Sequence, residues 1–293
     1  MEPLDPQDQA LVLALQAEPR ARAVQLGAVT GMSAPTVSNR LHALRDRGAI
    51  EVVGIIDYRA LEQAYLAIVL AKGLSHEVLT GFPDRPGVVF AVQTIGAWDS
   101  AVCFVARDPL QMEVHLEWMR ARSVAIEVET VLDIMVNGLS RQDPLLLRDA
   151  LDDDIACLLA IDARSSFTAI AESLGIPEAT ARTRAQRMLD GHVVTPLVIP
   201  NPSLFGLEAA AAFGIEVHAP VAGVLDALVN LPGVITVLHT QGRYAAVVEV
   251  IAVDSVGVAA VRDQVLQVPG VRGVDVFTYG QRFIGRRPLP QRT

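Results

Sequence analysis

Apolar residues recur along the chain at two spacings, and each spacing predicts one kind of element. Val37, Leu41 and Leu44 fall at i, i+4 and i+7, one stripe of a helix. Ser33 stands in front as an N-cap, and Pro35 suits the first turn. Upstream, Leu26 and Val29 predict the buried side of a shorter helix. Gly31 between the two suits a sharp turn, because glycine tolerates positive φ. A short helix, a tight turn and a second helix make a helix-turn-helix. The side opposite the stripe carries Ser38, Asn39, His42 and Arg45. An earlier helix has Asp5 as its cap, Pro6 at its first position and Leu11, Ala14 and Leu15 on its inner face. After the second helix, residues 49–56 read as a strand, the wing of a winged helix.

Beyond a link at 57–63 the pattern changes. Residues 64–71 are an apolar, β-branched run, 75–82 a short helix and 87–95 a strand. A turn at 96–99, a strand at 100–106, a helix at 109–122 and a strand at 125–136 complete the order β-α-β-β-α-β, the ferredoxin-like arrangement.

The whole pattern then returns. Leu15, Arg20, Gly31, Thr36, Arg40 and Asp46 recur at one constant offset as Leu159, Arg164, Gly175, Thr180, Arg184 and Asp190. Pro86-Gly87-Val88, Gly96 and Asp108 recur, at a slightly longer offset, as Pro232-Gly233-Val234, Gly242 and Asp254. In the second copy Asp152-Asp153-Asp154 are expected at the start of a helix whose inner face is Ile155, Leu158 and Leu159. Strands begin at Ala209, Val234, Tyr244 and Val271, and helices at Val221 and Ser255. Residues 140–149 read as a linker or helical extension, 201–207 as a link and 286–293 as a loose tail. The predicted fold class is α+β, a tandem repeat of two winged helix-turn-helix domains alternating with two ferredoxin-like domains. Their expected bounds are 1–56, 64–139, 150–200 and 208–285.

Composition narrows the function. The 293 residues carry a net charge of −9, which argues against indiscriminate coating of nucleic acid. From Arg20 to Gly48, however, five arginines face one acid. From Arg164 to His192 four arginines face three acids. Lys72 is the only lysine, so the preference for arginine is chain-wide. Cys103 and Cys157 are far apart in apolar segments and read as small hydrophobes in a reducing compartment. With no secretory signal and no uninterrupted apolar span, the expected location is cytoplasmic, with no membrane partner. His115 with Glu113 and Glu117 places groups on different helix faces, so no metal site is expected. No nucleophile elbow, P-loop or dinucleotide motif is present, so no catalytic residue or cofactor is predicted and the chain is not expected to be an enzyme.

The DNA-facing set read from these residues is Ser33, Thr36, Ser38, Asn39, Arg40 and Arg45, with Arg182, Thr183, Arg184 and Arg187 in the second copy. Asn39 suits bidentate pairing with adenine. Arg40 is equally available to Asp46 or another acid. For the bare pattern, an ordinary amphipathic helix pair is the structural alternative.

The run L-x(4)-G-M-S-x-x-T-V-x-x-R-L from Leu26 to Leu41, and the turn T-x-G-x-W-D from Thr94 to Asp99, resemble the Lrp/AsnC (feast/famine) family of transcription regulators. The resemblance implies binding of double-stranded DNA as paired units. It also implies homo-oligomers formed through the ferredoxin-like modules and control by a small-molecule effector, often an amino acid. The effector set it implies is Thr94, Gly96, Trp98, Asp99, Thr240, Gly242 and Tyr244. For the two glycines a hairpin turn is the competing role, and for Trp98 and Tyr244 it is packing. This sequence departs from the family by carrying two copies, so one chain can act as a pseudo-dimer. In the second copy Pro177 replaces Ser33, Ala181 and Ala185 replace Val37 and Leu41, and Ala245 replaces Asp99. Glu178 there would repel phosphate. Two alternatives share the fold. One is a sirohaem-decarboxylase-like enzyme, for which His239, Arg243 and Tyr244 are the nearby polar groups. The other is a DNA-free metabolite sensor.

Overall fold

The computed structural model describes residues 4–61, 64–136, 143–201, 208–218, 220–285 and 288–290. The chain begins with helices α1 (Pro6–Ala17), α2 (Ala23–Thr30) and α3 (Ala34–Asp46) and strand β1 (Ile50–Ile56). Next come β2 (Tyr65–Lys72), α4 (His76–Gly81), β3 (Val88–Ile95), β4 (Ser100–Ala106), α5 (Pro109–Arg120) and β5 (Ala125–Val136). Then follow α6 (Ala150–Ile161), α7 (Phe167–Leu174), α8 (Glu178–Asp190) and β6 (Val194–Pro200). The last are β7 (Ala209–Val217), α9 (Val221–Val229), β8 (Val234–Gln241), β9 (Ala246–Ala252), α10 (Ser255–Leu266) and β10 (Val271–Ile284). These divide into two compact units, residues 1–62 with 142–206 and residues 63–141 with 207–293.

In the first unit, α6, α7, α8 and β6 begin and end at one constant offset from α1, α2, α3 and β1. Asp5 caps α1 by accepting the Asp8 N–H at 2.7 Å, and Ser33 caps α3 by accepting the Thr36 N–H at 3.3 Å. Each cap satisfies a donor that a helix start leaves open. Gly31 ends α2 at φ 73°. The strand expected as a wing forms no hairpin in its own half among the described residues. Instead β1 pairs antiparallel with β6 along its whole length, because a lone strand must find partners for its N–H and C=O groups. Val53 lies opposite Leu197, its own counterpart in the second half, so a local two-fold axis passes through that pair. The core mixes the halves: Leu11, Leu15, Leu26, Val37 and Leu44 pack with Ala163 and Val198.

Several local expectations are corrected here. Val29 is exposed, and the second buried residue of α2 is Gly27. A Cβ at residue 27 would overlap the Met32 carbonyl oxygen, so the turn can fold back only onto a glycine. Helix α6 starts earlier than the acid triplet: Asp149 is its cap, accepting the Asp152 N–H at 2.9 Å, and Asp152 and Asp153 are buried in its first turn. In the expected linker, Leu147 is buried and its N–H bonds the Ala60 carbonyl at 2.8 Å; residues 140–142 lie outside the described residues.

The second unit is a closed barrel. Strands β5-β2-β4-β3 form one antiparallel sheet and β10-β7-β9-β8 another, joined edge to edge by β5 with β8 and β10 with β3. Closure leaves no unpaired edge. Alternation along β2 sends Ile68 and Leu70 into the barrel and Ala67, Val69 and Ala71 towards the helix side. Trp98, Tyr244 and Phe277 help fill the interior, leaving a void of about 10 Å³. Helices α4 and α5 back the first sheet and α9 and α10 the second. Of the tail expected to be loose, residues 288–290 are buried; 286–287 and 291–293 lie outside the described residues. Among the described residues no helix is long and apolar enough to cross a membrane.

Candidate nucleic-acid interface

Helix α3 buries Val37, Leu41 and Leu44 and turns Thr36, Asn39, His42 and Arg45 outward, with Ser38 half-buried beside them. Among the described residues no hydrogen bond holds the Asn39 amide or the His42 ring. Those two side chains are therefore free to meet an outside partner. Ser33 and Thr36 hydroxyls bond one another at 2.7 Å and shape the helix start. Arg45 pairs with Asp162, the residue that ends α6, at 2.7 Å.

Of the two roles open to Arg40 in the sequence, the structure shows pairing with acids, and these are not Asp46. Its guanidinium bonds Asp5 and Asp8 at 2.8 Å each and Gln7 at 2.5 Å. Arg47 adds a contact to Asp8 at 3.2 Å. Arg40 thus fastens α3 to the start of α1, where the helix dipole already favours carboxylates. The second half repeats this clamp at the equivalent positions. Arg184 bonds Asp149 at 2.6 and 2.7 Å and Asp152 at 2.9 Å, and Arg187 also bonds Asp152. Arg40, Arg184 and Arg187 are thereby engaged within the fold, since a guanidinium forked onto carboxylates has few donors left. The signal was present: Asp5, Asp8 and Arg40 all return at the same offset as Asp149, Asp152 and Arg184.

The outward face of α8 is also occupied with itself. Arg182 pairs with Glu178 at 2.6 Å and lies over the Phe167 ring at 5.0 Å. The Thr183 hydroxyl donates to the Ala179 carbonyl at 2.8 Å, and Gln186 donates to Asp190 at 2.8 Å. Between the halves runs a reciprocal latch. Arg20 donates to the Ala163 carbonyl, and Arg164, its counterpart, donates to those of Pro19 at 2.7 Å and Ala21 at 3.0 Å. Neither this latch nor the Asp162 contact was read from the sequence, because both depend on the β1–β6 pairing.

In the barrel, the residues of the implied effector set hold two hairpin turns. Thr94 donates to the Trp98 carbonyl at 2.8 Å, and Thr240 to that of Tyr244 at 2.9 Å. Asp99 accepts the Gly73 N–H at 2.8 Å and the Ser100 hydroxyl at 3.1 Å. Trp98 and Tyr244 pack inside. Tyr244 also donates its hydroxyl to Asp275 at 2.7 Å, and burial together with that carboxylate raises its pKa. Glu129, fully buried, accepts the N–H groups of Arg243 at 3.0 Å and Tyr244 at 3.1 Å beneath the Gly242 turn. Burial holds its carboxyl above the usual range. Arg243 reaches Asp275 at 3.1 Å, so two of the three groups considered for tetrapyrrole chemistry are tied down. Among the described residues no cluster of histidine, cysteine and acids is arranged to hold a metal.

Residues 4–45 match the model of the AsnC-type helix-turn-helix domain, which is what α1 to α3 build. The transcriptional regulator Ptr1 of Methanocaldococcus jannaschii is 33% identical over 101 residues, covering 34% of this chain and 68% of that protein. The regulator Rv2324 of Mycobacterium tuberculosis is 26% identical over 149 residues, which is 49% of this chain and all of that protein. The chain belongs to the Lrp/AsnC family of helix-turn-helix transcriptional regulators. Among solved structures, the siroheme decarboxylase NirDL shares the fold over 95% of this chain and 92% of its own, with TM-score 0.64 and 13% identity.

Proposed function

We propose that this protein is a sequence-specific regulator that binds double-stranded DNA through α3, under the control of a small metabolite. In this reading one chain is a fused pair of winged helix-turn-helix and ferredoxin-like modules standing in for a dimer. The observation that carries it is the exposed Asn39 amide and His42 ring, unengaged among the described residues, on the third helix of an AsnC-type domain. An amide in that position suits adenine, and Arg45 beside it suits phosphate. Full alignment of Rv2324 with half of this chain supports the fused pair.

The test is duplex binding by fluorescence anisotropy, with fragments selected from random DNA. Selected fragments should bind at least about tenfold tighter than scrambled ones, and affinity should fall as salt rises. Equal affinity for both would reject the reading. The fold shared with siroheme decarboxylase supports a second reading as an enzyme, and conversion of siroheme by the purified chain would favour it.

A further inference from the structure

We infer that the first unit carries a binding site for a small organic anion, alongside α3. A cavity of about 220 Å³ opens there, lined on its polar side by Ser38, His42, Arg45 and Arg164, over a floor that includes Leu15 and Val52. Its charge is unbalanced. Asp162 pairs with Arg45, whereas among the described residues the Arg164 guanidinium donates only to neutral carbonyls, those of Pro19 and Ala21. Two guanidiniums thus share one carboxylate. Burial, and then the charge of Arg45, lower the pKa of Arg164, as expected of a cation short of counter-charge. A carboxylate with a compact apolar body satisfies both sides of such a space. Pockets for drug-sized ligands begin at roughly 300 Å³, so the occupant of this smaller one is small.

The other half shows why the cavity exists. By the local two-fold, Ala23 corresponds to Phe167 and Ser38 to Arg182. The Phe167 ring lies between Arg20, the counterpart of Arg164, at 5.4 Å and Arg182 at 5.0 Å. An aromatic ring therefore occupies, in one half, the place that alanine leaves open in the other. Ser38 and His42, which line the cavity, also belong to the polar side of α3. If α3 reads DNA, an occupant alters the charge that this helix presents. That consequence rests on the proposed function, but the site itself does not.

The test uses the full chain without DNA, with benzoate and inorganic phosphate as probes followed by backbone amide NMR. Benzoate should shift the amides of Ser38, His42 and Val52 in a saturable way, with a midpoint of about 1 mM for so small a ligand. Ala23→Phe, which copies the arrangement around Phe167, should weaken this about tenfold or more and leave barrel amides unmoved. Arg164→Gln, which keeps an amide donor for the latch carbonyls, should weaken it similarly and guards against a misfolded Ala23→Phe. Shifts that do not saturate, or that persist in both variants, would overturn the site. Phosphate acting where benzoate is inert would also overturn it, in favour of the DNA backbone as the source of the anion.

Discussion

Helices α3 and α8 hold equivalent places about one local two-fold axis, yet they present opposite surfaces. On α3, Asn39 and His42 face outward, and among the described residues no hydrogen bond engages their polar atoms. On α8 the same positions are Thr183, bonded to Ala179, and Gln186, bonded to Asp190. Arg182 is held by Glu178 at the start of the helix, where a carboxylate also disfavours phosphate. Beneath each helix an arginine grips two aspartates at equivalent positions, so that pairing does not separate them. What separates them is how many polar groups remain after the fold has satisfied its own. Among the described residues, Asn39 and His42 of α3 keep theirs, while Thr183 and Gln186 of α8 engage theirs within their own helix.

The largest effect is expected where the two clamps differ in depth. The Asp152 side chain is 0% exposed and serves Arg184 and Arg187, whereas Asp8 is 11% exposed and serves Arg40 and Arg47. Removing one member of a buried ion pair leaves uncompensated charge. Asp152→Ala should cost about 3 kcal/mol in urea unfolding and Asp8→Ala about 2 kcal/mol. Equal losses would show that burial does not distinguish the halves. Acid probes the same clamps. The Asp8 N–H and then Arg40 lower the pKa of Asp5 below 3.8, and Arg184 and then the Asp152 N–H do so for Asp149. Both carboxylates therefore contribute stability above pH 3.8, and that contribution is lost as pH falls through their depressed values. Arg40→Gln and Arg184→Gln should each flatten the acid limb of the stability profile.

Next comes the reading face itself. Asn39→Ala should weaken binding to a selected duplex by about 1–3 kcal/mol, roughly tenfold or more. Thr183→Ala, at the equivalent position of α8, should change it by less than about twofold, because its hydroxyl already serves Ala179. Anisotropy titrations of both variants on one fragment make the comparison. Comparable losses would mean that α8 reads DNA too, and that the inward bonds of its side chains break on contact.

How much of this was legible depended on range. The stripe of Val37, Leu41 and Leu44, the caps at Asp5 and Ser33 and the turn at Gly31 are local, and the structure agrees with each. The same holds for the order of helices and strands in the barrel. Val29 misled because a two-turn helix has room for little beyond Leu26, and close approach at Gly27 replaced a side-chain contact. For Arg40 the sequence offered an acid elsewhere without saying which, because Asp5 and Asp8 are distant in sequence. The strand read as a wing was placed correctly, but its partner, β6, lies in the other half. Register holds a further surprise. In the barrel Thr130 joins Ala67 to Gln241, and Thr278 joins Ala211 to Ile95, so the two junctions are equivalent. That equivalence makes Phe277 the counterpart of Glu129, although the offset of the preceding turns would have made Asp275 its counterpart. A bulge between Val271 and Gly273 contributes to the slip. Hence Glu129 lies under the Gly242 turn while Phe277 lies under that of Gly96. A repeat read at constant spacing does not reveal it.

The smallest effect concerns the residue two beyond the end of α3 and of α8. Gly48 has φ 64°, and its counterpart His192 has φ 55°, the one non-glycine at positive φ among the described residues. Left-handed backbone costs an L-residue about 1 kcal/mol, part of which glycine returns as entropy lost on folding. His192→Gly should therefore stabilise the protein by about 0.5 kcal/mol. Gly48→Ala, with no atom within 4 Å of the added Cβ, should destabilise it by about 1 kcal/mol through backbone strain alone. Both follow from thermal midpoints measured on the full chain. If His192→Gly instead destabilises, the imidazole makes a contact that outweighs its strain, and the second half is braced by that side chain as well as by its clamp.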